Sequence, residues 1–261
     1  MAETGRLSAP TLPFASPVTL VRVAIIVGIL ATWEAVAASG LLFRDVVPSL
    51  LIIGSAIVEL LADPTYYWNL GVTAGEIGLA MLIGGLAGLA VGILLGANRL
   101  LSRAFESYLY YLGPTPKIIF FPIMIMWFGV GPGSKIAMGV LSCFFPVALS
   151  AAAGMRTIDN VLIRVGRSFR ASTWQMVTKI YLPAMRLPII NGVRLGLGVA
   201  IIGTLLAETK LSNKGVGFLI INAYSTFNMP RMYALLIGLF VLSIGVNALI
   251  GRLGGVATIK R

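Results

Sequence analysis

Few residues in this sequence are able to do chemistry. Nine are acidic, the only cysteine is Cys143, and there is no histidine. The commonest acid-base catalyst and the commonest metal ligand are therefore missing together. No convincing nucleophile and base pair is present, so an intramembrane enzyme is a poor reading, and neither a catalytic residue nor a metal site is expected. Isolated charges remain. Lys117, Glu34, Glu76, Arg194 and Glu208 stand within or at the ends of apolar stretches, and Arg164, Arg167 and Arg170 stand in a polar insertion. Such groups can attract an ion into an apolar pathway or meet a partner at a surface.

The elements that must position them are built for lipid. The chain is 58% hydrophobic and 11% charged, with a mean hydropathy of +0.95. A span needs about 20 mostly apolar residues, and five or six stretches meet that test, placed at 19–39, 70–97, 106–129, 135–154, 189–208 and 232–252. The expected fold is an all-α integral membrane protein of about six transmembrane helices, with a tail over 1–18 and one membrane domain over 19–261. VAIIVGILAT followed by Ala35, Val36 and Ala37 imitates a signal peptide; Trp33 and Glu34 beside that point favour a retained first span. VVPSLLIIGSAIVELLADP reads as a short amphipathic element between Pro48 and Pro64, lying on the outer interface. Counting it as a seventh span is the alternative.

Loop charge sets the orientation. With the N-terminus inside, Arg6, Arg99, Arg103, Arg156, Arg164, Arg167, Arg170, Lys179, Arg186, Arg252, Lys260 and Arg261 face the cytosol, twelve against five outside. The outer five are Arg44, Lys135, Lys210, Lys214 and Arg231. Both termini are then cytosolic, and the net charge of +11 is mostly an orientation signal plus attraction to anionic lipid. Basic residues scattered over loops do not form a nucleic-acid face.

Gly84, Gly88, Gly92 and Gly96 recur every four residues, so one helical face lets a neighbour approach closely, within the chain or across a dimer seam. Gly192, Gly196 and Ala200 repeat the device. The third stretch carries Pro114, Pro116 and Pro122, which disfavour a straight helix, and a broken helix tends to line a cavity. Pro116, Lys117, Met124 and Met126 are therefore pathway candidates, with Lys117 either contacting an anionic solute or snorkelling and pairing. Glu208 closes the fifth span beside the polar loop TKLSNKGVGF, where water is expected to reach it. Glu34, Glu76, Arg194 and Glu208 are read as structural.

The insertion over 156–186 reads as two short helices. The first is expected to start after Thr157 as N-cap, with Val161, Leu162, Val165 and Phe169 on one apolar face. The second starts at Ser172, where Gln175 three residues on completes a capping box; Trp174, Val177, Ile180 and Tyr181 form its stripe and Pro183 stops it. Ser168 to Thr173 then makes an exposed corner carrying Arg170.

RVGRSFRASTWQMVTKIYLP resembles the EAA loop shared by permease subunits of ATP-binding-cassette importers, whose usual form is Glu-Ala-Ala, three residues, Gly, nine residues, Ile-x-Leu-Pro. The end is intact as Ile180, Leu182 and Pro183. The start departs, with Arg164, Val165 and Gly166 at Glu-Ala-Ala and Arg170 at the Gly. IIFFPIMIMWFGVGPGSKI, FFPVALSAAAGM and LAETKLSNKGVGFLI are similar to the branch importing nitrate, taurine, alkanesulfonates, bicarbonate and some heterocyclic precursors.

The resemblance implies a type I importer-like permease of the bacterial inner membrane, working as a homodimer with two cytosolic ATP-binding subunits and a periplasmic or extracellular solute-binding protein. Substrate would be a small organic or inorganic anion. Arg164, Arg167, Arg170, Ala171, Ser172, Thr173 and Trp174 would dock the ATPase, with Ile180, Leu182 and Pro183 closing the motif. Lys210, Asn213 and Lys214, with Arg44 and Asp45, would face the binding protein or stand as solvated loop charges. The motor lies elsewhere, because GVGPGSK has Ser134 between Gly133 and Lys135, sits in an expected outer loop and is no phosphate-binding loop. ATP and Mg would belong to the partner. A stand-alone secondary transporter or channel is the other reading, although such folds often carry internal repeats and none is visible.

Overall fold

A computed structural model describes residues 17–40 and 46–253. Arg6, Arg44, Asp45, Lys260 and Arg261 lie outside the described residues. The helices in chain order are α1 (Pro17–Ser39), α2 (Leu50–Ala62), α3 (Pro64–Ala97), α4 (Arg99–Leu112), α5 (Phe121–Phe128), α6 (Pro132–Arg156), α7 (Asn160–Ser168), α8 (Thr173–Met176), α9 (Leu182–Ala184), α10 (Arg186–Lys210), α11 (Val216–Ser225) and α12 (Met229–Leu253). Five of them, α1, α3, α6, α10 and α12, are long and apolar enough to cross a membrane.

The centre is α3, α6 and α10, brought together by the small residues of their facing stripes. Gly84 lies on Val140 and Cys143, Gly88 on Phe144 and Val147, Gly92 on Ala148 and Ala151, and Gly96 on Met155. A methyl at any of these four would overlap α6, so the stripe serves packing within the chain. The paired numbers rise together, so α3 and α6 run parallel. Gly192 against Ser150, Gly196 against Val147 and Gly203 against Ser142 fall as the partner rises, so α10 runs antiparallel to both.

Parallel packing settles the number of crossings. Residues 98–131 must return the chain from the far end of α3 to the level at which α6 begins. Asn98 ends α3 and starts α4, its side chain accepting from the Leu100 N–H at 2.9 Å. Leu109 of α4 packs on Phe145 and Ala148, and Phe121 of α5 packs on Met138, so the two pieces climb α6 in reverse. They are bent by 93° at the Pro114 to Pro116 break. The sixth crossing is thus a broken one. It starts at Arg99 rather than 106, and a 3-10 turn, Lys117–Phe120, joins its halves.

At the end where α3 starts, α2 lies along α12 through Ala56 and Leu60, which join Tyr66, Val216, Leu219, Ala234 and Leu235 in one cluster. Asp63 caps α3 by accepting from the Thr65 N–H at 2.8 Å, and its carboxylate pairs with Arg231 at 2.6 Å. α1 is tied on by its last turns: the Trp33 indole donates to the Pro48 carbonyl at 3.1 Å, and Glu34 accepts from the Leu50 N–H at 3.0 Å. The remainder of α1 buries no residue in this chain.

Candidate functional site

The polar insertion leaves the far end of α6 and folds as a hairpin. Its details differ from the sequence reading in three ways. Thr157 ends α6, donating to the Gly154 carbonyl at 2.8 Å, and Asp159 is the N-cap of α7, accepting from the Val161 N–H at 2.8 Å. Pro183 does not end the second arm: α8 runs through a π-helical segment, Val177–Tyr181, into α9, where proline in a first turn costs no hydrogen bond. The break falls at Met185. Third, the apolar face expected on the first arm is not covered, while on the second Val177, Ile180 and Tyr181 are half-buried. Val161, Leu162 and Val165 are exposed, and Phe169 and Trp174 are 83% and 74% exposed.

What stiffens the hairpin is a close approach. Gly166 of α7 lies on Met176 and Ile180 with no room for a methyl. The turn between the arms is closed by the Ala171 N–H donating to the Gly166 carbonyl at 3.0 Å, with Arg170 left-handed at φ 52°. Ser172 accepts from the Gln175 N–H while Gln175 accepts from the Ser172 N–H at 2.8 Å, the capping box the sequence called for. Phe169, Arg170 and Trp174 consequently stand out from a fixed turn. Ala171 is half-buried behind them, Ser172 and Thr173 are exposed, and Ile180, Leu182 and Pro183 lie on the second arm. Arg164 and Arg167 stand on α7 and border a cavity beside it.

The pathway candidates do not converge. Lys117 is half-buried at the break, donating to the Gly113 carbonyl and to the Thr115 carbonyl at 3.1 Å, with its ammonium 5.2 Å from the Phe145 ring centre. The break frees those carbonyls and the lysine satisfies them. Met124 packs beside Phe121 and Met138, whereas Met126 is exposed on the other side of α5, and Pro116 is exposed at the start of the 3-10 turn.

At the opposite end a second polar site appears that the sequence reading did not assemble. Glu208 is 0% exposed rather than wetted. Its carboxylate accepts from the Thr73 hydroxyl and from the Gly217 N–H, both at 2.7 Å. The Val216 N–H donates to Thr73 at 2.8 Å and the Gly215 N–H to Asn69 at 2.7 Å. Free N–H groups at the start of α11 are thus taken up by α3 and α10, and the carboxylate sits where the helix dipole favours it. Gly215 has φ 99°, and a side chain there would strike Glu208. Glu76, 5% exposed, faces the Glu208 carboxyl. Lys135 is 4% exposed within α6, donating to the Val130 carbonyl at 2.9 Å and to the Gly131 carbonyl at 3.2 Å; it is not an outer-loop residue. Above this anchor Lys210, Asn213 and Lys214 are exposed at the tip of the connecting loop. The signal was present in sequence: Asn69, Thr73 and Glu76 share one face of an otherwise apolar helix.

These features define a class: an all-α, multi-pass membrane subunit with a rigid exposed hairpin at one face and a buried polar anchor at the other. The particular family follows from comparison. Residues 84–254 match the model of the binding-protein-dependent transport system inner membrane component, and the chain belongs to that family. It is 31% identical to SsuC of Bacillus subtilis (strain 168), named for aliphatic sulfonate transport, over 79% of this chain and 75% of that one. It is 32% identical to the taurine transport system permease protein TauC of Escherichia coli (strain K12), over 73% and 71%. The nitrate import permease protein NrtB of Leptolyngbya laminosa is 24% identical over 74% and 72%. Among solved structures, inward-facing MetNI, a methionine ABC transporter, has the same fold, with a TM-score of 0.56 at 20% identity, over 80% of this chain and 97% of that one. The stand-alone transporter reading finds no support, and the buried carboxylate that could have served it is occupied in holding α11.

Proposed function

We propose that this permease passes a small anion of the sulfonate or nitrate kind, and that the corner at Phe169 to Trp174 is where separate ATP-binding subunits push. The observation that carries the reading is the corner itself. Two large aromatic side chains are held out in solvent by a capped, glycine-braced turn, and burying a phenylalanine or tryptophan on a partner is a large source of binding energy. In this reading the corner lies in the cytosol with both termini, ATP and Mg bind in the partner, and a second permease copy completes the pathway. A solute-binding protein meets Lys210, Asn213 and Lys214, whose charges set encounter rate and orientation. The relatives named for sulfonate, taurine and nitrate support the anionic solute.

The test is co-purification of the tagged chain from its host, before and after residues 170–174 are exchanged for Gly-Ser. Loss of an ATP-hydrolysing subunit, together with retained membrane insertion and heat stability, is the expected result. Retention of that subunit would defeat the reading. For the solute, Lys117→Gln in the reconstituted complex is expected to raise KM for the anion that stimulates hydrolysis; unchanged transport would remove Lys117 from the pathway and leave it as the cap of the broken helix.

A further inference from the structure

Beside the hairpin, at the far ends of α3 and α6, lies a cavity of about 600 Å³ that transport by itself does not explain. Five arginines line it: Arg99 and Arg103 from α4, Arg156 from α6, and Arg164 and Arg167 from α7. Arg156 is paired with Glu106, which also accepts from the Ser102 hydroxyl at 2.6 Å. The other four make no ion pair or side-chain hydrogen bond among the described residues. Asp159, the nearest acid on the hairpin in sequence, is committed to the α7 N-terminus. Four unpaired guanidiniums bordering one concavity repel each other unless an anion enters, and a guanidinium fork fits phosphate oxygens two at a time.

The rest of the lining says which anion. Gly96, Met155 and Ile158 belong to, or adjoin, the last turns of membrane-crossing helices, and with Ile163 of α7, which packs against that cluster, they give the cavity an apolar side. That is the depth of the lipid headgroups. A lining greasy on one side and cationic on the other matches a phospholipid, and the volume suits an organic ligand rather than a bare ion. Basic pockets at the ends of spans on the positive face are where anionic headgroups are held.

We propose that this cavity binds the phosphate of an anionic phospholipid from the inner leaflet. Because α4 and α6 supply three of the arginines and α7 two, with Tyr181 of the second arm also in the wall, a bound headgroup bridges the frame and the hairpin and steadies the corner against the frame. The site is distinct from the exposed turn and does not depend on the identity of the solute.

The experiment uses the full chain alone in nanodiscs of phosphatidylcholine, with or without phosphatidylglycerol, read by thermal unfolding and by native mass spectrometry of retained lipid. Phosphatidylglycerol is expected to raise the unfolding temperature and to remain bound. Arg99→Gln with Arg103→Gln is expected to weaken retention about tenfold or more, at roughly one decade for each 1.4 kcal/mol. Arg252→Gln, which removes one positive charge from the same face outside the cavity, is expected to change neither readout. Should the double variant unfold, Arg164→Gln alone tests the hairpin side of the same cavity. Equal stability in the two lipids, or an equal loss in Arg252→Gln, overturns the proposal. Full stabilisation by millimolar inorganic phosphate without the anionic lipid keeps a phosphate site but overturns its lipid source. When the co-purified ATP-binding subunits are added to the same nanodiscs, their shielding Arg103 and Arg164, with no gain from phosphatidylglycerol, makes the cavity a protein-docking surface and also overturns the proposal.

Discussion

The two polar regions of this molecule, one at each end of the α3, α6 and α10 core, are opposites in how their groups are satisfied. At one end Asn69, Thr73, Glu76, Lys135 and Glu208 are buried, and apart from one Glu76 oxygen their side-chain polar atoms are bonded within the chain. At the other end Phe169, Arg170 and Trp174 are exposed on a turn whose backbone is fixed, so the order is spent on presenting side chains that the described residues do not cover. Charge that is buried and bonded holds an element in place; apolar surface held rigidly in water awaits a partner. The first region is anchoring, the second is contact.

The largest effect that would break this contrast is expected from Glu208→Ala. It strands the Gly217 N–H and the Thr73 hydroxyl in a dry interior, which costs about 2 to 4 kcal/mol. The unfolding temperature of the full chain should fall and protease should cut within 211–228; an unchanged melting curve would show that α11 does not depend on the anchor. Next, Phe169→Ala with Trp174→Ala should leave folding stability within about 0.5 kcal/mol while weakening association with the ATP-binding subunits about tenfold or more. Were stability to fall as well, the two rings would belong to the fold rather than to a partner.

A smaller effect sharpens the account of the turn. Arg170 is left-handed, a conformation that costs a side-chain-bearing residue about 1 to 2 kcal/mol, and the resembling loops carry glycine there. After the extra freedom glycine has when unfolded, Arg170→Gly should stabilise the chain by up to about 1 kcal/mol, while any contact of the guanidinium is lost. A gain in melting temperature with weaker subunit association would separate backbone fit from recognition.

The smallest effect is in pH. The Asp63 carboxyl is held below its ordinary value of 3.8, first because the Thr65 N–H donates to it and further through Arg231. A carboxyl lowered by folding adds stability that is complete above the unfolded value and is lost as pH falls through the folded one. Acid should therefore loosen the α2–α3 corner only below about pH 4. Arg231→Gln should reduce that acid sensitivity in part, because the amide contribution remains; a titration identical to the wild type would assign all of it to the cap.

Much of this protein could be read from its residues. The crossings followed from apolar length, because a backbone in hydrocarbon must bond to itself, and the Ser172 to Gln175 cap followed from local hydrogen-bond rules. The packing stripes of Gly84 to Gly96 and of Gly192 and Gly196 were visible as spacing, as was the proline break before Lys117. What spacing did not reveal was the partner of each stripe: only the parallel seating of α3 on α6 shows that residues 98–131 cross the membrane again as a bent pair.

The misreadings of burial have one cause. Lys135 and Glu208 looked wet because they flank loops, and Val161, Leu162 and Val165 looked buried because they share a face. Local sequence sets periodicity, and it sets caps and breaks to within a residue or two, as Asp159 for Thr157 and Met185 for Pro183 show, since those depend on neighbours a few residues away. Whether a charged or apolar face is covered depends on segments far off in the chain: Glu208 meets Thr73 across 135 positions, and none of the described residues folds back over Phe169 and Trp174. Burial is a property of the assembled tertiary structure, and it is burial that separates the anchor from the contact.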